Sequence, residues 1–306
     1  MRLILKLLIF PLLFLFSANL QAQQDSQYTQ YMYNTVVVNP AYAGSRGAMS
    51  VFGMHRNQWV GFDGAPKTNA FSIHTPFANS NIGAGLSFVN DQIGPTAENT
   101  ITAAISYKLK VSEKFSLNFG LNTSATFFNF YANKLNPKDA ADSTLENFKN
   151  SISPNLGIGF YLHSDKTYFG ISAPQFFENY RYDDNELSLN RERINLYFIT
   201  GTVIPISSAI DFKPAFLAKY LDSAPLQMDL SANFLFNQKL TLGAAYRYDA
   251  AVSALAGFQI SEMLFVGYAY DFETSQLQKY NQGSHEIFLR FELFKSYSGI
   301  SSPRFF

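Results

Sequence analysis

The chain has 306 residues, with 23 lysines and arginines, 23 aspartates and glutamates, and no cysteine. The zero net charge gives no indication of a nucleic-acid partner, and the missing cysteines exclude disulfides and a lipoprotein anchor. Charged residues make up 15% of the chain and aromatic residues 16%. A soluble domain carries about 25% charged residues, so this composition favours a surface that faces lipid.

The first 22 residues have the pattern of a secretory signal peptide. Arg2 and Lys6 supply a positive region, residues 7–16 are apolar, and residues 17–22 are mostly small or polar. This apolar stretch is too short for a stable transmembrane helix, and no later stretch approaches the roughly eighteen apolar residues of a helical span. We predict cleavage after Ala22 and an exported protein that either dissolves or enters a membrane as a closed β-barrel.

Residues 23–45 lack strand periodicity. They contain several tyrosines, the turn-forming pair Asn39-Pro40, and Gly44. We predict a short N-terminal plug or periplasmic segment, a compact non-strand element packed against the periplasmic mouth rather than a further strand.

From residue 46 to residue 294 the chain alternates between amphipathic segments and polar connectors. In residues 226–236 the even-numbered positions are all apolar and most odd-numbered positions are polar. A period of two places these sets on opposite faces of a strand. The predicted strands are residues 46–56, 67–77, 81–91, 97–110, 114–130, 151–163, 166–174, 193–206, 210–221, 225–236, 239–248, 252–260, 264–273 and 283–294.

The connectors alternate between short and long. The short ones, at residues 78–80, 112–113, 164–165, 207–208, 237–238 and 261–262, are small and polar. Those of the opposite rim include residues 57–66, 132–150, 174–192 and 274–282, with three shorter exceptions around Gln92, Asp222 and Asp249. This rhythm predicts an all-β fold, a transmembrane outer-membrane β-barrel of about fourteen antiparallel strands with tight periplasmic turns and longer extracellular loops. The even strand count places the C-terminus in the periplasm, where we also expect the N-terminus.

The inward positions of this barrel are predicted to be small and neutral more often than charged. The fifth strand turns Ser116, Asn118, Gly120, Asn122 and Ser124 inward, and the last strand turns Glu286, Phe288, Arg290 and Glu292 inward. Gly83 and Gly85, and Gly157 and Gly159, indicate thin places in the wall. We interpret the sparse inward charge as weak support for an occluded lumen.

No residue pattern indicates catalysis, a cofactor or a metal. The four histidines, His55, His74, His163 and His285, lie in different hairpins, and His285 and its neighbour Glu286 point to opposite faces of one strand. We therefore predict a protein that is not an enzyme and has no cofactor.

Several stretches outside the strand pattern are distinctive. They are residues 28–34 (YTQYMYN), 36–45 (VVVNPAYAGS), 56–68 (RNQWVGFDGAPKT), 91–95 (DQIGP), 283–286 (GSHE) and 302–306 (SPRFF). Together they resemble the PorP/SprF family of type IX secretion system outer-membrane proteins of Bacteroidota. The resemblance covers essentially the whole mature chain. We predict that the chain is divided into residues 1–22 (signal peptide), 23–45 (N-terminal periplasmic or plug segment), 46–294 (transmembrane barrel) and 295–306 (C-terminal periplasmic tail).

The resemblance implies a barrel without enzymatic activity in the outer membrane of a Gram-negative bacterium. Its expected partners are components of the type IX secretion system, a secreted cargo protein such as a large adhesin, and outer-membrane lipid. The expected contact surfaces are residues 23–45, 132–150, 174–192 and 295–306. The candidate partner-binding residues are Tyr28, Gln30, Tyr31, Asn39, Pro40, Arg56, Trp59, Tyr180, Arg181, Tyr182, Arg304 and Phe306. The alternative function is an outer-membrane porin or small-solute transporter, and the same residues also serve as turn and packing residues in a purely structural interpretation.

Overall fold

The computed structural model describes residues 28–131, 151–177, 194–221 and 224–293. These residues form one closed antiparallel sheet of fourteen strands, β1 to β14. In chain order the strands are Met49–Asn57, Lys67–Pro76, Ile82–Ile93, Thr96–Lys110, Ser116–Phe130, Ser151–His163, Thr167–Ala173, Asn195–Thr202 with Ile204–Pro205, Ile210–Leu221, Gln227–Phe236, Leu240–Arg247, Ala251–Gln259, Leu264–Glu273 and Ser284–Leu293. The eighth strand is in two pieces because it is interrupted at Val203.

Every strand pairs with its neighbours in sequence, and the barrel is closed by the pairing of β14 with β1. In that closing pair Met49 lies opposite Leu293 and Asn57 lies opposite His285. Closure matters because an open sheet would leave one row of unpaired backbone groups in lipid. The prediction of an outer-membrane barrel with about fourteen antiparallel strands is confirmed.

The two faces of the strands have different chemistry. Along β14, Glu286, Phe288 and Arg290 are buried in the lumen, whereas Ile287 and Leu289 are exposed on the outside. The predicted inward set of the fifth strand also faces the lumen. Because the outward residues are apolar and unpaired with protein, the outer face is the one that contacts lipid.

The short connectors are tight turns, as predicted. Asn237 and Gln238, between β10 and β11, have φ of 49° and 55°. Two successive residues with positive φ form the turn that matches the twist of a hairpin. The largest difference at a strand end is at β1, which begins at Met49 rather than at residue 46, because residues 46–48 still belong to the turns that precede the strand.

The helical elements of the described chain are short. They are Tyr31–Tyr33, Thr35–Val38, Pro40–Tyr42 and Gln276–Lys279. No helix in the described ranges has both the length and the apolar character to cross a membrane. The first three helices belong to residues 28–48, which we call the lumenal segment.

Candidate functional site

The lumenal segment lies inside the barrel. Tyr31, Asn39 and Ala41 are each at most 3% exposed, and their contacts are with residues of the strands that surround them. The segment therefore fills lumen space that an open channel would leave to water.

The segment runs lengthwise through the barrel. At its start, Thr29 contacts Arg56, the next-to-last residue of β1, where that strand approaches the long loops. At its end, Arg46 contacts Glu292, the next-to-last residue of β14, close to the opposite rim. The segment thus reaches much farther than the periplasmic mouth against which the sequence analysis placed it. Its first described residue, Tyr28, lies toward the long-loop rim, and the N-terminus that we expect on the periplasmic side lies outside the described residues.

Four charged side chains hold the start of the segment, and we call Arg56, Arg247, Asp271 and Glu286 the polar clamp. The two carboxylate oxygens of Glu286 accept the backbone N–H groups of Thr29 and Gln30, at 3.0 and 2.9 Å. Nη2 of Arg247 donates to the carbonyl oxygen of Tyr28 at 3.4 Å.

The hydroxyl group of Thr29 completes the polar clamp. Its Oγ1 donates to Oδ2 of Asp271 at 2.6 Å and accepts a hydrogen bond from Nη1 of Arg56 at 2.9 Å. Arg56 also pairs with Asp271 at 2.7 Å and with Glu286 at 3.1 Å, and the three side chains are at most 4% exposed. Because buried charges are costly unless they are paired and hydrogen-bonded, these contacts fix each other's positions.

Strand register explains why these charges meet. Arg56 lies directly opposite Glu286 in the pairing of β1 with β14, and Asp229 lies directly opposite Arg247 in the pairing of β10 with β11. Nε of Arg247 donates to Oδ1 of Asp229 at 2.7 Å. Directly opposed side chains of unlike charge attract each other across a sheet. Opposite charges on inward positions of neighbouring strands were the signal that would have revealed these pairs.

Farther along the chain from the polar clamp, the lumenal segment is held by aromatic packing. The ring of Tyr33 stacks on Phe265 with centroids 5.2 Å apart and packs against Phe288 at 4.6 Å. The guanidinium of Arg290 lies 5.4 Å from the Tyr33 ring, a cation–π contact. Burial raises the pKa of Tyr33 to about 12, so its hydroxyl stays neutral at physiological pH.

On the other side of the lumen the wall is built for close approach, and we call Gly83, Gly120, Gly159 and Gly170 the glycine wall. A Cβ atom at Gly120 would collide with the backbone of Ala41, and one at Gly83 would collide with the carbonyl of Ala43. At Gly159 and Gly170 it would meet the side chain of Asn39. The predicted thin places at Gly83 and Gly159 are therefore positions where the barrel accommodates the lumenal segment.

Side chains beside the glycine wall bind the backbone of the segment. Ser106 donates to the carbonyl of Ala43 at 2.6 Å, and Ser172 donates to the carbonyl of Val38 at 2.6 Å. Nδ2 of Asn39 in turn donates to the carbonyl of Phe160 at 3.0 Å. The two serine bonds satisfy carbonyl groups of the lumenal segment at and after the ends of its short helices.

Charged side chains also hold the end of the lumenal segment. At the short-turn rim Nε of Arg46 donates to Oε1 of Glu292 at 2.7 Å, and Arg290 lies beside the same carboxylate. Burial opposes the charge of Arg46, but Glu292 and Tyr42 outweigh this effect and raise its pKa above the usual value. The buried side chains of the described residues are nevertheless neutral more often than charged, as predicted.

Trp59 fixes the first long loop to the rim. Its backbone has φ of 45°, an uncommon value for a residue other than glycine. The indole Nε1 donates to Oε2 of Glu273 and the backbone N–H to Oγ of Ser284, both at 3.1 Å. The first long loop is therefore hydrogen-bonded to β13 and β14, the strands that also carry Asp271 and Glu286.

The structure places the candidate partner-binding residues in three groups. Five of the twelve are buried in the lumen and bonded or packed within the chain, namely Gln30, Tyr31, Asn39, Pro40 and Arg56. Tyr28 and Trp59 are partly exposed at the long-loop side. Tyr180, Arg181, Tyr182, Arg304 and Phe306 lie outside the described residues, as do residues 132–150, most of 174–192 and 295–306.

The histidines do not converge. His55 and His285 face outward, where Nδ1 of His285 lies 2.7 Å from the hydroxyl of Tyr268. His74 is buried and its Nδ1 accepts the N–H of Gly44 at 3.1 Å. Within the described ranges, no group of three or more acidic or histidine side chains is arranged to hold a metal ion.

Solved barrels resemble this one in fold. The toluene transporter TbuX of Ralstonia pickettii is similar with a TM-score of 0.51 and 9% identity, over 84% of this chain and 92% of that chain. Omp33 of Acinetobacter baumannii, an outer membrane protein, gives a TM-score of 0.46 and 10% identity, over 80% of this chain and 97% of that chain. At these identities the likeness shows the fold alone. No curated protein sequence matches the chain significantly.

The family comparison covers both the barrel and the lumenal segment. The sequence profile of the family described as "Type IX secretion system membrane protein PorP/SprF" matches residues 20–291. That range includes the polar clamp, the glycine wall and the first long loop. The chain therefore belongs to the PorP/SprF family of type IX secretion system membrane proteins.

Proposed function

We propose that this outer-membrane barrel is a non-enzymatic component of the type IX secretion system that holds a secreted or surface-displayed protein, secretion machinery, or both. The observation that carries the proposal is the family match over residues 20–291. The lumenal segment supports it, because a lumen occupied by protein suits a holding role better than free diffusion of solutes.

The long-loop rim supplies apolar side chains for such a partner. Phe62 in the first long loop and Tyr280 in the last are 47% and 67% exposed, and Leu277, in the same loop as Tyr280, is also exposed. Aromatic side chains at a rim are the kind that dominate protein interfaces. The backbone of Val60 joins the two loops through hydrogen bonds with Gly283 and Gln282, and the unusual backbone of its neighbour Trp59 is of the kind that clusters at functional sites.

Gene deletion and affinity capture test this proposal. Deleting the gene should block surface display of one or a few type IX cargo proteins while the outer membrane stays intact, and the tagged barrel should capture such a cargo or a secretion component. Normal secretion and display of every type IX substrate, with no partner captured, would reject the proposal.

The second candidate is a porin or small-solute transporter, the class to which the toluene transporter TbuX, a barrel of similar fold, belongs. It predicts measurable conductance of the intact protein in a planar bilayer. Under the holding function, we expect low conductance from the full chain and higher conductance after removal of residues 28–45, with the barrel still assembled. High conductance of the full chain, unchanged by the removal, would favour the porin.

A further inference from the structure

The polar clamp recognises peptide backbone more than side chains. It binds the carbonyl of Tyr28 and the N–H groups of Thr29 and Gln30, and the Thr29 hydroxyl is the side-chain group that it contacts. One carboxylate that accepts two successive N–H groups requires only that the peptide turn locally, as residues 29 and 30 do, and lack proline at those positions. Recognition of this kind tolerates many sequences.

The segment that fills the polar clamp is an imperfect ligand for it. Nε2 of Gln30 and the hydroxyl of Tyr31 are buried and have no hydrogen-bond partner among the described residues. A buried donor without a partner reduces the stability of the bound state. A peptide with other side chains at these two positions would keep every hydrogen bond to the polar clamp that is described above.

The polar clamp is also placed where a partner could reach it. Arg56 is the next-to-last residue of β1 and Arg247 is the last residue of β11, so both lie near the long-loop ends of their strands. Tyr28, which leads into the clamp, is partly exposed. This is the rim at which the proposed function places a partner protein.

We propose that the polar clamp is a binding site for a peptide main chain in the turn conformation of residues 28–30, which these residues occupy within the same molecule and which a segment of a partner protein occupies in exchange. This inference rests on the proposed function, since the partner is the protein that the barrel holds. The charged side chains stay in place during the exchange, because Arg56 remains paired with Asp271 and Glu286 whether or not Thr29 is present.

The internal occupant competes with any added peptide. It is tethered, so its effective concentration at the polar clamp is high and the intact protein binds an external peptide weakly. A proline at position 29 weakens this competitor selectively. It removes both the N–H that Glu286 accepts and the hydroxyl that binds Asp271, while the glycine wall still holds the rest of the segment.

The test uses the full chain in detergent with the Thr29→Pro substitution and a fluorescent synthetic peptide, Gln-Tyr-Thr-Gln, blocked at both ends. We expect the variant to bind this peptide about tenfold or more tightly than the unmodified chain does. Adding Glu286→Gln should abolish the gain, whereas adding Glu292→Gln, a matched change in the same strand at the other rim, should preserve it. The same peptide with proline in place of threonine should not bind.

Absent binding by a folded Thr29→Pro barrel, or equal binding after Glu286→Gln, would overturn the proposal. Folding is checked by the shift in gel migration between unheated and boiled samples. If Thr29→Pro does not fold, a photoreactive form of the peptide at high concentration should crosslink to β13 or β14 of the unmodified barrel, and crosslinking elsewhere would equally overturn the proposal. The assay uses purified protein, so its failure is distinct from failure of the secretion and capture experiments that test the proposed function.

Discussion

Strands β3–β7 and strands β10–β14 enclose the same lumenal segment, but they contact it through different chemistry. On the first side, the glycine wall removes side chains so that the backbone of residues 38–44 can lie against the barrel. On the second side, charged residues reach inward and bind the backbone of residues 28–30 by hydrogen bonds. Close packing fixes a segment through shape and tolerates little change, whereas a polar clamp can release one peptide and bind another. The comparison indicates a segment anchored at one end and exchangeable at the other.

The largest loss of stability is expected from a substitution in the polar clamp. Replacing Arg56 with Met leaves the carboxylates of Asp271 and Glu286 buried without their cation, which should lower the free energy of unfolding by about 3–5 kcal/mol. Arg56→Lys keeps the charge and serves as the matched control, with a smaller loss. Urea unfolding of the two variants checks the prediction, and equal stabilities would mean that the charge inside the polar clamp is unimportant.

Substitutions on the lipid-facing surface should destabilise the two sides of the barrel by similar amounts. Leu121 on β5 and Leu230 on β10 are 59% and 57% exposed and point to lipid. Arginine at either position should lower the free energy of unfolding by about 2–4 kcal/mol if both lie near the middle of the membrane. Leu230→Met is the control that keeps an apolar side chain. A cost at one position only would show that the barrel sits obliquely or that one of the two strands faces protein.

A side chain added to the glycine wall should displace the lumenal segment. Gly120→Val places atoms where the backbone of Pro40 and Ala41 lies, and overpacking of this kind costs about 1–3 kcal/mol. We also expect higher conductance, because the segment must move away from the wall. Gly53→Val is the matched control, since a Cβ at Gly53 would meet nothing within 4 Å. Equal conductance of the two variants would contradict a close fit at Gly120.

The smallest effects are expected from single hydrogen bonds beside the glycine wall. Ser106→Ala and Ser172→Ala each remove one donor to a backbone carbonyl of the segment, which should cost about 0.5–1.5 kcal/mol per substitution. Thermal unfolding of the single and double variants measures these costs. A loss as large as that of Arg56→Met would show that the two sides hold the segment with similar strength.

Much of the barrel wall could be predicted from the chain because each strand carries its own alternation. The alternation around Leu230 and Ser231 indicates which side chain faces lipid and which faces the lumen. Asn237-Gln238 marks a tight turn without reference to the rest of the fold. The candidate site was harder to predict. Arg56 was noticed within a motif, but its partners Asp271 and Glu286 lie more than two hundred residues away in sequence. Their meeting depends on the closure of β14 against β1, which no local pattern encodes.

The strands, their inward and outward faces, the alternation of turns and loops, and the family are all predictable from the chain, because they depend on side-chain period, turn chemistry and short motifs. The position of residues 28–48 and the contacts that hold them depend on the closed barrel. Their helices are too short to be stable alone. Their position is set by a lumen that exists only once fourteen strands have closed, with glycines on one side to admit the backbone and paired charges on the other to bind it.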